Sequence, residues 1–133
     1  MVSYAVQSDL PDVKVFDRHV SKEMLNKAIS ENRVLIFKVS DIVMGFVRWN
    51  YFWDSIPFLN MLFVPSGYTH SGVGSDLLSF WEKEMRSQGY ARVFASTMAK
   101  EKGQHFFRKY GYHDIGNLYD EGVGLELILE KLL

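Results

Sequence analysis

Residues 58–75 of the chain, FLNMLFVPSGYTHSGVGS, decide the fold. The first seven are almost all apolar and stop at Pro65, which predicts a strand over 58–64 that is buried on both faces. The segment 66–74 contains three glycines, and a helix with one apolar stripe is predicted from there to about residue 88. A helix N-terminus offers unpaired backbone N–H groups and a positive dipole end, and glycines allow an anion to approach them. The segment therefore predicts an anion site.

The patterns on either side of this stretch predict an α/β domain with a mixed sheet. Before it we expect a short strand over 3–7, a break at Pro11 and Asp12, a helix over about 21–32 with Ser21 as its N-cap, and a hairpin of strands 34–39 and 42–49. Pro57 is expected in a loop. After it we expect a strand over 92–97, a helix over about 101–110, and strands over 113–118 and 125–131. Strand 58–64, its helix and strand 92–97 would form a right-handed parallel crossover, while the hairpins are antiparallel.

Composition limits the classes of function. The chain has 133 residues and a net charge of −1, which favours one domain over 1–133 and argues against a nucleic-acid partner. It has no cysteine, so disulfides and thiolate zinc sites are excluded, and its four histidines lack metal-ligand spacing. No signal peptide and no membrane-length apolar run is visible, so we expect a cytoplasmic protein with no metal and no membrane partner.

Two common phosphate motifs do not fit the glycine loop. A P-loop needs Lys followed by Ser or Thr after its second glycine, but Val73 and Gly74 follow Gly72. A dinucleotide-binding fingerprint needs a third small residue, and Leu77 occupies that position. A simple tight turn is the structural alternative to an anion site.

The segment 69–74, THSGVG, resembles the cofactor motif Q/R-x-x-G-x-G/A of the GNAT superfamily of acyl-CoA N-acyltransferases. Thr69 stands where that motif has Gln or Arg, which implies weaker cofactor binding. The run 106–112, FFRKYGY, resembles the second signature of the family, and 39–46 resembles its hairpin in which a glycine precedes a large apolar residue. The likeness covers about 34–112 and implies a single-domain GNAT-like fold, with a mixed, mostly antiparallel central sheet flanked by about three helices.

The resemblance implies that acetyl-CoA is the cosubstrate. Strand 58–64 would pair with the pantetheine arm, the loop would hold the pyrophosphate, and the two phenylalanines of the second signature would lie against the thiol end. The implied cofactor-binding residues are Leu62, Phe63, Val64, Thr69, His70, Ser71, Gly72, Val73, Gly74, Ser75, Phe106 and Phe107.

The resemblance also implies direct attack of an amine on the thioester. Phe107 occupies the position where the family often has a tyrosine acid, so Tyr110 is our candidate acid, with a packed aromatic as the alternative. Asp54 is our candidate base, with a turn-capping role as the alternative. The implied acceptor-binding residues are Trp49, Trp53, Asp54 and Tyr119, although the tryptophans could instead form hairpin core.

Three functions remain open at this stage. The first is an N-acetyltransferase that acts on a small-molecule or peptide amine. The second is a module of the same fold that binds acyl-CoA or a partner with little catalysis, and the third is an unrelated α/β interaction domain. Segment 125–133 is apolar at many positions, so it is expected to be an edge strand through which a homodimer could form.

Overall fold

A seven-stranded sheet runs through the protein, as seen in a computed structural model that describes all residues 1–133. The strands are Val2–Tyr4 (β1), Val34–Val39 (β2), Ile42–Phe52 (β3), Ile56–Phe63 (β4), Arg92–Met98 (β5), His113–Asp120 (β6) and Gly124–Leu132 (β7). The helices are Leu10–Phe16 (α1), Lys22–Ser30 (α2), Val73–Ser87 (α3) and Gly103–Lys109 (α4), with short 3₁₀ turns at Gln7–Asp9 and Ser66–Tyr68.

The strand order is β1-β2-β3-β4-β5-β7-β6. Only β4 and β5 are parallel, and every other neighbouring pair is antiparallel. The predicted mixed, mostly antiparallel sheet is therefore confirmed. The parallel pair arises because α3 carries the chain from the end of β4 back to the start of β5.

Helices cover both faces of the sheet. On one face, Leu77 and Trp81 of α3 pack with Trp49 and Leu129 of the sheet in the larger core. On the other face, α1 and α2 bury their apolar stripes against β2 and β3, with Leu25 and Phe46 at the centre of a second core. Ser21 accepts a hydrogen bond from the Met24 N–H at 3.1 Å, which confirms it as the N-cap of α2.

Two prolines lie inside regular elements and not in the break and the loop that were predicted for them. Pro11 does not interrupt the chain: it is the second residue of α1, where its missing N–H would have no helical partner in any case. The structure therefore has four α-helices where about three were expected. Pro57 lies inside β4, opposite Tyr51 of β3, and it is tolerated there because β5 joins β4 only from Phe58 onward.

The last strand is not the sheet edge that the sequence predicted. β7 lies between β5 and β6 and pairs with both. The apolar residues of β7 contribute to the core: Leu129, opposite Ala95, is fully buried there. The edge on this side of the sheet is β6, and all eight of its residues are exposed.

Candidate active site

A cleft opens where β4 and β5 separate. The two strands pair at only two positions, Phe58 with Phe94 and Leu59 with Ala95, and then diverge. Beyond Leu59, the edge of β4 that faces β5 has no strand partner, so its backbone groups are free to bind another extended molecule. The cleft has a volume of about 550 Å³ and is lined by both strands.

A β-bulge lies at the base of the cleft. In the ladder between β3 and β4, Trp49 is opposite Leu59 and Arg48 is opposite Met61, so Asn60 has no opposite residue. A bulge leaves its extra residue outside the ladder and bends the strand. Asn60 lines the cleft directly after the last residue that pairs with β5.

The cleft passes between the two faces of the sheet. On the α4 side it is lined by Gly103, Phe106 and Phe107, and on the other side by His19 and Val20 from the loop that joins α1 to α2. One molecule could therefore enter from each face, and the two would meet between the strands.

The loop before α3 presents a run of free donors. The backbone N–H groups of residues 69–75 donate to no acceptor in the protein. The next amide along the chain, that of Asp76, donates to the Gly72 carbonyl at 3.0 Å. Gly72, with φ of 90°, is the N-cap of α3. Such a backbone conformation favours glycine, and the free N–H groups at a helix start suit an anion.

The hydroxyl groups of this loop bond back to its own carbonyls. Thr69 donates to Ser66 and Ser75 donates to Gly72, each at 3.0 Å, and Ser71 donates to the Tyr68 carbonyl. These bonds stabilise the loop and leave the amides as its donors. His70 has φ of 63° and is exposed, so its imidazole lies at the solvent side of the loop.

A close contact joins the loop to the cleft. A Cβ atom added to Gly74 would lie 3.6 Å from the ring of Phe106 and 3.7 Å from Val64. Phe106 in turn lines the cleft. The amides at the start of α3 and the free edge of β4 therefore belong to one continuous site, which also contains Leu62.

A buried ion pair holds the loop between α1 and α2 against the sheet. Arg48 of β3 bonds to the Asp17 carboxylate through Nε at 2.7 Å and through Nη2 at 3.4 Å. Asp17 is fully buried and also accepts the His19 N–H at 3.3 Å. This loop supplies one wall of the cleft, so the pair determines where that wall lies.

Two aromatic residues of the second signature have distinct positions. Phe107 is 6% exposed and packs in the larger core while one side of it reaches the cleft. Tyr110 follows α4 and its ring lies 5.0 Å from that of Phe106, so it stands behind the cleft wall and not in the lining itself.

The structure does not bring the expected acceptor residues to the cleft. Trp49 is 1% exposed and packs on Trp81, as in the hairpin-core alternative. Trp53 and Asp54 form the turn between β3 and β4. Asp54 precedes Asn60 by six residues, which corresponds to roughly 20 Å along an extended strand at about 3.3 Å per residue. β4 runs from this turn toward the cleft, so neither residue is part of the cleft lining. Tyr119 is exposed on β6 and does not line the cleft.

Several residues of the cleft were not predicted from the sequence. They come from distant elements, and the polar ones are His19, Arg48, Asn60, Ser96, Thr97, Glu101 and Glu126. No local motif marks them, since they meet only through the sheet order and the divergence of β4 from β5. Gly103 alone had a weak sequence signal, because it is a glycine near the start of the helix predicted over about 101–110. A Cβ atom added to Gly103 would lie 2.6 Å from the Thr97 hydroxyl oxygen, so this position is too close to Thr97 for a side chain.

No helix is long and apolar enough to cross a membrane. Nowhere in the structure do three His, Cys, Asp or Glu side chains meet in a group that could hold a metal ion.

Solved structures share this fold over nearly their whole length. Ard1 from Thermoplasma volcanium superposes with a TM-score of 0.88 at 14% identity, covering 100% of this chain and 97% of that chain. A GNAT-family acetyltransferase from Bacillus cereus ATCC 10987 has a TM-score of 0.80 at 27% identity, covering 99% and 96%. The PaiA N-acetyltransferase from Thermoplasma acidophilum, solved with coenzyme A, has a TM-score of 0.79 at 19% identity, covering 100% and 98%.

Sequence comparison gives the family. No curated protein sequence matches the chain. The profile of the acetyltransferase (GNAT) domain, however, matches residues 5–126, which is most of the chain. With the strand divergence and the free amides before α3, this match shows that the chain belongs to the GNAT acetyltransferase family and is an acyl-CoA-dependent N-acyltransferase.

Proposed function

We propose that this protein transfers an acetyl group from acetyl-CoA to a primary amine by direct attack within a ternary complex. The observation that carries the proposal is the continuity between the free amides of residues 69–75 and the cleft between β4 and β5. The first part suits a pyrophosphate and the second suits an extended arm that ends in a thioester. The coenzyme A bound to the PaiA relative supports this choice of cosubstrate.

In this proposal the cofactor follows β4. The amides from Thr69 to Ser75 hold the pyrophosphate. The free edge of β4 at Leu62 and Phe63, continued by Val64 directly after the strand, pairs with the amides of pantetheine. The ring of Phe106, between Gly74 and the cleft, covers the arm, and Phe107 lies against the thiol end. The thioester carbonyl then lies near Asn60, where a backbone N–H beyond the last ladder pair can donate to the developing oxyanion.

The amine must lose a proton before it attacks. An alkyl amine with a pKa of about 10.4 needs about 4–5 kcal/mol for deprotonation near pH 7, at roughly 1.36 kcal/mol per unit. Its nitrogen then bonds to the thioester carbon, and the carbon–sulfur bond breaks to release the thiolate of coenzyme A. A thiol pKa of about 8.5 makes this thiolate a tolerable leaving group.

Tyr110 is the phenol that we propose as proton donor to the thiolate. Its ring packs on that of Phe106, which lines the cleft where this proposal places the pantetheine arm. General acids raise reaction rates by roughly 10²–10⁴-fold, and we expect an effect at the low end of that range because the thiolate is a good leaving group. Tyr110→Phe should lower kcat while leaving the acetyl-CoA affinity unchanged; an unchanged kcat would assign the ring a packing role.

The second function is a module that binds acyl-CoA with little catalysis. Two observations favour it: Thr69 presents a hydroxyl bonded to Ser66 where the family has a charged or amide side chain, and Phe107 has no proton to donate. Turnover distinguishes it from the first function, because both predict cofactor binding.

Calorimetric titration with acetyl-CoA tests the cofactor site. We expect micromolar binding to the native protein and at least roughly tenfold weaker binding to Gly74→Val, whose side chain would cover the α3 amides and press on Phe106. Gly116→Val is the matched control, since no atom lies within 4 Å of that position on β6. Absence of binding at millimolar acetyl-CoA, or equal binding by folded Gly74→Val, would refute the proposed site.

A further inference from the structure

Glu126 projects into the side of the cleft that the cofactor does not use. It lies opposite Met98 in the ladder between β5 and β7, and directly opposite residues project to the same face. Its neighbour Leu127 faces the other way, with Leu129, which is buried beneath α3. Glu126 therefore faces the same side as the loop between α1 and α2, and it lines the cleft together with His19 of that loop.

The Glu126 carboxylate has no partner in the protein. It makes no side-chain hydrogen bond and no ion pair, although it is half-buried. Glu130 projects from the same face of the same strand and is neutralised, since it lies 3.1 Å from Arg92 and 3.4 Å from His113. A half-buried carboxylate without a partner is costly in the free protein and gains most from a bound cation.

The other charges around the cleft leave it acidic. Arg48 lines the cleft, but its guanidinium is bound to Asp17 at 2.7 and 3.4 Å. His19 is exposed at the rim, and Glu101 adds a second carboxylate there on the side of α4. The only unpaired acidic or basic side chains of the lining are thus two carboxylates and one imidazole, which favours a cation over an anion.

We propose that Glu126 binds the ammonium group of the acceptor, and that the acceptors of this enzyme are amines with no carboxylate beside the reacting nitrogen. This inference rests on the proposed function and identifies its substrate class. A carboxylate next to the amine would lie against Glu126 and be repelled, whereas an alkyl amine or a peptide amine brings no such charge.

The same carboxylate accepts the proton that the reaction removes. The ammonium gives one proton to Glu126, directly or through one water, and the neutral nitrogen attacks the thioester carbon. The C–N bond forms first and gives a tetrahedral adduct, which loses the second amine proton to water. Collapse of the adduct breaks the C–S bond, and the departing thiolate takes a proton from Tyr110, which regains one from solvent, so that an amide and the thiol of coenzyme A result. Glu126 then releases its proton to solvent.

Three amines that share one four-carbon chain test the class of acceptor: butylamine, norvalinamide and norvaline, which carry hydrogen, a neutral amide and a carboxylate on the carbon beside the nitrogen. Their binding is measured by calorimetry on the protein saturated with coenzyme A, and acetyl transfer is measured with acetyl-CoA. We expect norvaline to bind and react at least roughly tenfold more weakly than butylamine and norvalinamide, because only norvaline brings a carboxylate to Glu126. Equal binding of all three, norvalinamide as weak as norvaline, or binding of none would overturn the inference.

Two glutamates of one strand form a matched pair of variants. Glu126→Gln should raise the KM for butylamine by roughly tenfold or more, lower kcat, and leave the KM for acetyl-CoA unchanged. Glu130→Gln, whose carboxylate is already paired, should leave the KM for butylamine unchanged. If Glu126→Gln behaves like Glu130→Gln, the inference fails while the proposed function stands; if acetyl-CoA does not bind the native protein, the proposed function itself fails.

Discussion

At the scale of single residues, Tyr112 shows how a polar group is accommodated in the core. It is 3% exposed, and its hydroxyl donates to Glu82 at 2.7 Å, while Lys131 donates to the other oxygen of that carboxylate at 2.8 Å. We expect Tyr112→Phe to lower the free energy of unfolding by about 1–3 kcal/mol, because a buried carboxylate loses one of two donors. Urea unfolding measures the loss. Tyr119→Phe is the control, since Tyr119 is exposed on β6 and its hydroxyl makes no hydrogen bond within the protein.

The same residue predicts a pH dependence. Burial raises the pKa of Tyr112 far above its usual value, and the charge and hydrogen bond of Glu82 raise it further. The unfolded chain loses this proton near pH 10 while the folded protein keeps it, so stability is complete below about pH 10 and falls as the pH rises above it. Tyr112→Phe should show a smaller alkaline loss in unfolding experiments between about pH 9 and 11. An identical slope in both proteins would contradict the buried phenol.

At the scale of elements, the packing of α3 on β3 determines where the anion-binding amides lie. A Cβ atom on Gly45 would lie 2.9 Å from Val73 Cγ1, 3.0 Å from Leu77 Cδ1 and 3.0 Å from the Phe63 carbonyl oxygen. Val73 is the first residue of α3. Gly45→Ala should therefore push the start of the helix outward, costing about 1–3 kcal/mol of stability and weakening the binding of acetyl-CoA.

Thermal unfolding and calorimetry of Gly45→Ala measure the two effects together. Gly116→Ala serves as the control, because its Cβ would meet no atom within 4 Å on the exposed strand β6. A Gly45→Ala protein with native stability and native affinity would mean that the helix start does not depend on this contact.

At the scale of the whole molecule, the homodimer predicted through segment 125–133 has no free edge there, since β7 is an interior strand, and we expect it instead at the neighbouring edge strand β6. Its outward backbone groups have no partner strand, and Ile115, Leu118 and Tyr119 are exposed on it. Antiparallel pairing with a second copy about an axis between Gly116 and Asn117 would place His113 opposite Asp120, an attractive pair of groups. Light scattering during sizing at micromolar concentration should give twice the 15.4 kDa chain mass, and Leu118→Lys should restore the monomer. A native protein of monomer mass would contradict the prediction.

The sequence by itself determined the elements and the family. Strand β2 has the predicted bounds, and Gly89 and Gly111 end their helices with φ of 95° and 93°, as a left-handed cap requires. The strand, glycine loop and helix over β4 and α3 were also readable, since apolar periodicity and glycine conformation act within a few residues. A resemblance built on these local patterns was enough to indicate the GNAT family.

Only the tertiary structure decided which side chains meet in the cleft. Asn60 leaves the ladder because of the register between β3 and β4, and Glu126 reaches the site because β7 inserts beside β5. Asp54, a plausible base from its position in the chain, lies just before the start of β4, at the end of the strand that is away from the cleft. Register and strand order arise from contacts between residues distant in sequence, so no local pattern specifies them, and the acceptor side of this enzyme is made almost entirely of such contacts.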